Sequence, residues 1–113
     1  MTVGDVARGL DLKALTGEAA SLLDRQVTGG YCSDLLSDVM ANAKEGVVWV
    51  TIQTHKNVVA VAVLTGVAAV IMTGGRQPDG ETLAKAEEEK VVILTTCEQS
   101  FAVAGKLYSL LRG

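Results

Sequence analysis

Three segments of this chain are apolar almost throughout rather than at alternate positions, and that constrains the fold more than anything else in the sequence. Val47-Val48-Trp49-Val50-Thr51-Ile52, Ala68 to Met72 and Val91 to Thr95 read as strands buried on both faces, the pattern of a parallel sheet covered by helices. Between them lie helical stretches. Asn57 to Leu64 is closed by Gly66, and Asp79 is a good N-cap for Gly80 to Lys90, with Leu83, Ala84 and Ala86 facing inward. Ser33 is read as capping a helix with the stripe Leu35, Leu36, Val39, Met40 and Ala43, ending at Gly46, and Ser100 to Leu111 as a last helix with Phe101, Ala104, Leu107, Tyr108 and Leu111 at helical spacing. Shorter elements precede these: a helix at Val3 to Leu10, strands at Leu12 to Leu15 and Val27 to Tyr31, and an ambiguous stretch at 18–26. Trp49 and Phe101 are read as core aromatics.

Strand-then-helix units repeated at this spacing imply right-handed crossovers. The expected fold is an α/β three-layer sandwich with a mostly parallel sheet of four to five strands. One proline and no Ser/Gly-rich linker or repeat in 113 residues make a single domain, 1–113, the expected organisation.

Charge and composition then remove whole classes of function. Ten Lys plus Arg against thirteen Asp plus Glu, with no basic block, argue against a nucleic-acid backbone binder, and 4% aromatics leave little for base stacking. The longest apolar run, Val58 to Met72, is interrupted by Thr65 and Gly66 and is shorter than the roughly 20 residues that span a bilayer. No basic segment followed by a long apolar stretch opens the chain, so no membrane partner and a cytoplasmic location are expected. Cys32 and Cys97 accordingly read as reduced thiols.

In such a sheet the ligand-facing loops leave the carboxyl ends of the strands. They carry Tyr31 to Asp34, Gln53 to Asn57, Thr73 to Pro78 and Thr96 to Ser100. Thr73, Gly74 and Gly75 follow a strand and precede a helix cap, where bare amides form either an anion cradle or a plain tight turn. Gln53, His55 and Asn57 are the facing polar groups, with Lys56 or Arg76 to neutralise an anion. Asn57 can equally cap the helix that follows, and Ser33, Asp34, Ser37 and Asp38 read as cap and first-turn residues. Thr28-Gly29-Gly30 reads as a packing feature.

Catalysis has thinner support. Gly105-Lys106 is followed by Leu107, so the phosphate loop with its magnesium-binding hydroxyl is missing and kinase activity is not expected. Cys32, Cys97, His55 and Asp34 share the edge, but no two have the spacing of a metal knuckle. No cofactor or metal is expected.

At Val47 to His55 and Ala69 to Gly75 the sequence resembles a DRTGG domain, a small α/β module found beside CBS domains and in phosphotransacetylases with an extra N-terminal region, and related to the N-terminal domain of HPr kinase. The resemblance covers roughly residues 27 to 111, and the chain looks like a short stand-alone form. It departs from the family where the Asp-Arg pair is expected, since Gln53-Thr54-His55-Lys56-Asn57 stands there. The literal string Asp24-Arg25-Gln26-Val27-Thr28-Gly29-Gly30 lies in the wrong context and reads as coincidence. The resemblance implies a regulatory or ligand-sensing role. The leading expectation is a non-catalytic module that binds a small anionic metabolite or nucleotide and acts through a regulatory protein partner or a homodimer. The alternatives are an interaction or dimerisation domain without a ligand, and a small enzyme using His55 or Cys97.

Overall fold

A computed structural model describes residues 1–17 and 20–113. Its strands are β1 (Lys13–Ala14), β2 (Gly29–Cys32), β3 (Val47–Thr51), β4 (Ala69–Met72) and β5 (Ile93–Thr95). Its helices are α1 (Val3–Gly9), α2 (Ala20–Leu23), α3 (Leu36–Asn42), α4 (Asn57–Thr65), α5 (Gly80–Glu89) and α6 (Ser100–Arg112). Of the stretch that the sequence leaves ambiguous, residues 18–19 lie outside the described residues and Ala20–Leu23 is a helical turn.

The five strands lie in the order β1-β5-β4-β3-β2. β2, β3, β4 and β5 are parallel, and β1 runs antiparallel to β5 with Lys13 opposite Thr95. Because successive parallel strands are laid side by side in one direction, right-handed crossovers put all three connecting helices on one face. The cores agree: α3, α4 and α5 supply Val39, Val58, Val59, Val61, Ala62 and Ala86 against Val47, Trp49, Val70, Met72 and Ile93. On the other face α1, its C-cap Leu10 and α6 supply Val3, Val6, Leu10, Val103 and Leu107 against Val48, Val50, Ala69, Ile71 and Leu94. The fold is the expected three-layer α/β sandwich, and the unbroken apolar runs of β3 and β4 are explained by burial on both sides.

α4 forms despite its β-branched valines because it is the middle helix of its layer, packed on α3 and α5, and because Gly66 ends it in the left-handed region at φ 74°. No helix among the described residues is long and apolar enough to cross a membrane.

Several local expectations are corrected. β2 is Gly29–Cys32 rather than 27–31. α3 begins at Leu36 and ends at Asn42, short of Gly46. Its N-cap is Leu35 with no side-chain cap bond, so Ser33 does not cap it; the Ser33 hydroxyl accepts only from the Leu35 amide, at 3.3 Å. Leu35 and Met40 are exposed, so the buried stripe of α3 is narrower than its apolar residues suggest. In α5 it is Thr82 and Ala86 that are buried, while Ala84 faces solvent. Trp49 is in the core as expected, but Phe101 is 93% exposed. The sheet-facing residues of α6 are Val103 and Leu107, a stripe turned away from Phe101 and Tyr108.

Two helix caps make acid stability predictable. Thr2 and Asp5 form a reciprocal capping box on α1, and the Asp79 carboxylate accepts from the Thr82 amide at the start of α5. Backbone amide bonds, from Thr2 and Thr82 respectively, hold both carboxyls below the usual 3.8. On acidification the unfolded chain therefore takes up these protons first, so the stabilisation is present above 3.8 and lost as pH falls through the lowered folded values. The melting temperature should drop across that window, and Asp79→Asn, which keeps a capping oxygen, should flatten part of the slope. An unchanged slope in the variant would contradict the assignment.

Candidate functional site

β4 and β5 are neighbours, yet the helices that follow them lie on opposite faces, α5 on one and α6 on the other. This is the arrangement that opens a crevice beyond the carboxyl ends of strands in α/β sheets. The loops on either side are Thr73 to Asp79 and Thr96 to Gln99. Gly74 and Gly75 both adopt φ 73°, which a side chain rarely tolerates, so the pair fixes the shape of the first loop.

Their amides are already engaged. Gly74 donates to the Glu98 carbonyl at 2.7 Å and Gly75 to the Thr96 carbonyl at 2.9 Å. Thr73 is fully buried, its amide bonded to the Thr51 carbonyl at 3.1 Å and its hydroxyl 2.6 Å from that of Ser100. In this arrangement Thr73, Gly74 and Gly75 tie the two loops together rather than presenting free amides. Arg76 folds back so that its guanidinium donates to the Thr73 carbonyl at 3.3 Å. The hydroxyl of Thr95, buried at the end of β5, has no hydrogen-bond partner among the described residues.

The loop after β3 lies at the same edge, since Thr51 is opposite Met72 in register. Gln53 donates from its side chain to the Asp34 carbonyl at 3.1 Å. His55 accepts the Asn57 amide on Nδ1 at 3.1 Å, which places the proton of the neutral ring on Nε2 and makes that nitrogen a donor. Asn57 is the first residue of α4, not its cap. Lys56 pairs with Glu81 of α5 at 2.7 Å, and this carboxylate holds the ammonium pKa above its usual value. His55 also lies close enough to Asp79 to help depress its pKa.

The sequence reading of Asp34 as a cap residue is corrected. Instead of serving a helix start, its carboxylate accepts from the Thr51 hydroxyl at 2.9 Å and the Ile52 amide at 2.8 Å. With the Gln53 contact it fixes where the loop after β3 begins. Its partners lie far along the chain, so no local spacing signals the role.

The remaining chemistry-bearing residues are not assembled. Among the described residues no three His, Cys, Asp or Glu side chains gather as metal ligands. Cys32 and Cys97 are both free and exposed; burial, then Asp34, pushes the Cys32 thiol above its usual pKa, away from the reactive thiolate. Asp24 and Arg25 precede β2, and Gly29 pairs with Val47 at the start of β3, so that string sits at the amino edge. There a cleft of about 410 Å³ is lined by Arg25, Glu45, Gly66 and Lys90. Lys56 and Asn57 line a shallow groove of about 500 Å³ between α4 and α5.

The sequence matches the DRTGG domain family over residues 5–110. The chain belongs to that family. No curated protein matches it. Among solved structures it is similar to the regulatory region of a Clostridium perfringens pyrophosphatase, comprising CBS and DRTGG domains and complexed with its activator, diadenosine tetraphosphate. The TM-score is 0.70 at 17% identity, over 96% of this chain and 46% of that one. This chain thus spans less than half of that region, and the likeness is one of fold. As a DRTGG domain, the chain carries His55-Lys56 in the loop after β3 and keeps Thr73-Gly74-Gly75 after β4.

Proposed function

We propose that this DRTGG domain, acting as a single unit over residues 1–113, is a non-catalytic regulatory module of the cytoplasm that senses a small anionic ligand, a nucleotide, at the carboxyl edge of its sheet. The observation that carries the reading is the departure of α5 and α6 to opposite faces from the adjacent carboxyl ends of β4 and β5, with Arg76 in the first loop and polar groups of the β3 loop at the same edge. In this reading Gln53, His55 and Asn57 face the ligand, Lys56 or Arg76 supplies charge on leaving Glu81 or the Thr73 carbonyl, and Thr73, Gly74 and Gly75 form the floor through their turn. Support also comes from the fold neighbour, a regulatory region complexed with a dinucleotide activator.

Calorimetric titration with ATP, diadenosine tetraphosphate and inorganic phosphate tests it. At least one nucleotide should bind, and His55→Ala and Arg76→Ala should each weaken it about tenfold or more, the worth of one charge-assisted hydrogen bond. Gly75→Val should remove binding by breaking the left-handed turn. Absence of heat with every nucleotide, or affinities unchanged in both alanine variants, would overturn the proposal.

A second reading, an interaction domain without a small ligand, is favoured by the occupied amides of Gly74 and Gly75 and by the exposed aromatic residues of α6. It expects no nucleotide binding.

A further inference from the structure

α6 rests Val103 and Leu107 on the sheet and is flanked on one side by α1, where Gly9 approaches Leu110. Its other side has no neighbouring helix among the described residues. There Phe101 and Tyr108 stand 93% and 64% exposed, seven positions apart and so on one face of the helix. Beside them the sheet ends at β2. Gly29–Cys32 contains neither charge nor proline, although exposed edge strands are ordinarily guarded by one or the other. Between strand and helix runs an apolar groove of about 200 Å³, lined by Gly30, Cys32, Val50, Leu107, Tyr108 and Leu111.

We propose that a second copy of this chain docks on this face, the two β2 strands pairing antiparallel about a two-fold axis normal to the sheet. Such an axis returns each sheet face to its own side, so one operation both extends the sheet and lays the two α6 helices side by side and antiparallel. The aromatic stripe of each copy then covers the groove of the other.

Charge favours an identical partner. Residues 27–33 are uncharged, so like meets like without repulsion, and antiparallel helices bring Arg112, which lies over Tyr108 of its own chain, toward the Glu98–Lys106 pair at the start of the other α6. Phe101 and Tyr108 offer roughly 300 Å² per copy, more than a third of the roughly 800 Å² that each partner contributes to a stable interface. The strand edge and groove supply the remainder.

Sedimentation equilibrium of the full chain at tens of micromolar should show a species of twice the 11.8 kDa chain mass. Phe101→Glu and Tyr108→Glu should each raise the dimer dissociation constant about 30-fold or more, as expected of interface anchors, and should also speed hydrogen exchange along β2. Leu64→Glu, at a residue 75% exposed on α4 in the opposite layer, should leave assembly unchanged. A monomeric wild-type chain, or a dimer that survives both α6 substitutions, would overturn the proposal, as would one lost in Leu64→Glu and kept in Phe101→Glu.

Discussion

Trp49→Ala should cost the protein about 3–5 kcal/mol of stability. Trp49 is fully buried in the centre of β3, packed within the core beneath α3 and α4. Truncation leaves a cavity the size of an indole in a rigid, two-sided strand that has little room to relax. It also removes the Nε1 donor that meets the Ser33 carbonyl at 2.9 Å. A domain of this size has about 5–15 kcal/mol in total, so the variant should be marginally folded. Urea unfolding followed by circular dichroism measures the loss, since the substitution removes the fluorophore. Phe101→Ala, at a residue 93% exposed in the single chain, should stay within about 0.5 kcal/mol of wild type when unfolding is followed at a concentration where the chain is monomeric. A loss below about 1 kcal/mol for Trp49→Ala would contradict the packing described.

Asp34→Ala has the second largest expected effect, about 1–3 kcal/mol. It takes away the acceptor of the Thr51 hydroxyl, which is fully buried and still accepts the Gln53 amide, and it frees the Ile52 amide. The double variant Asp34→Ala with Thr51→Val should cost less than the sum of the two single variants, because the bond between them is lost only once. Full additivity of the two substitutions in urea unfolding would show that the hydrogen bond carries no stability. Because the Asp34 carboxylate holds the Ile52 amide at 2.8 Å and the Thr51 hydroxyl accepts the Gln53 amide at 3.1 Å, Asp34→Ala and Thr51→Val should each loosen the β3 loop and weaken nucleotide binding.

The residues most legible in the sequence are those whose environment is uniform. Val47 to Thr51 and Ala69 to Met72 are buried on both faces, so nearly every position reports the same burial and the parallel sheet follows. The position of the Gln53 and Thr73 loops at one edge follows in turn from parallel strands. Helix faces were harder to read. Periodicity gives the spacing of apolar residues but not which of two stripes meets the sheet, and α6 carries both Val103-Leu107 and Phe101-Tyr108. Ser33 and Asp34 have the local look of cap residues, yet the Asp34 carboxylate bonds across 17 and 18 positions to β3. The amides of Gly74 and Gly75 are met by carbonyls of Glu98 and Thr96, and a backbone carbonyl leaves no mark on the sequence.

The strand order also governs the order in which the chain can be assembled. β3, β4 and β5 each pair with the strand made just before, so the sheet from β2 to β5 can grow outward one unit at a time. The N-terminal segment cannot join in that way. Lys13–Ala14 finds its partner only in β5, and the Thr16 hydroxyl, which donates to the Val91 carbonyl and accepts the Ile93 amide, spans 75 and 77 positions. The segment made before the four parallel strands is therefore among the last to be seated, and it works as a clasp: once in place, it closes the growing edge at β5 and leaves β2 as the open side of the sheet.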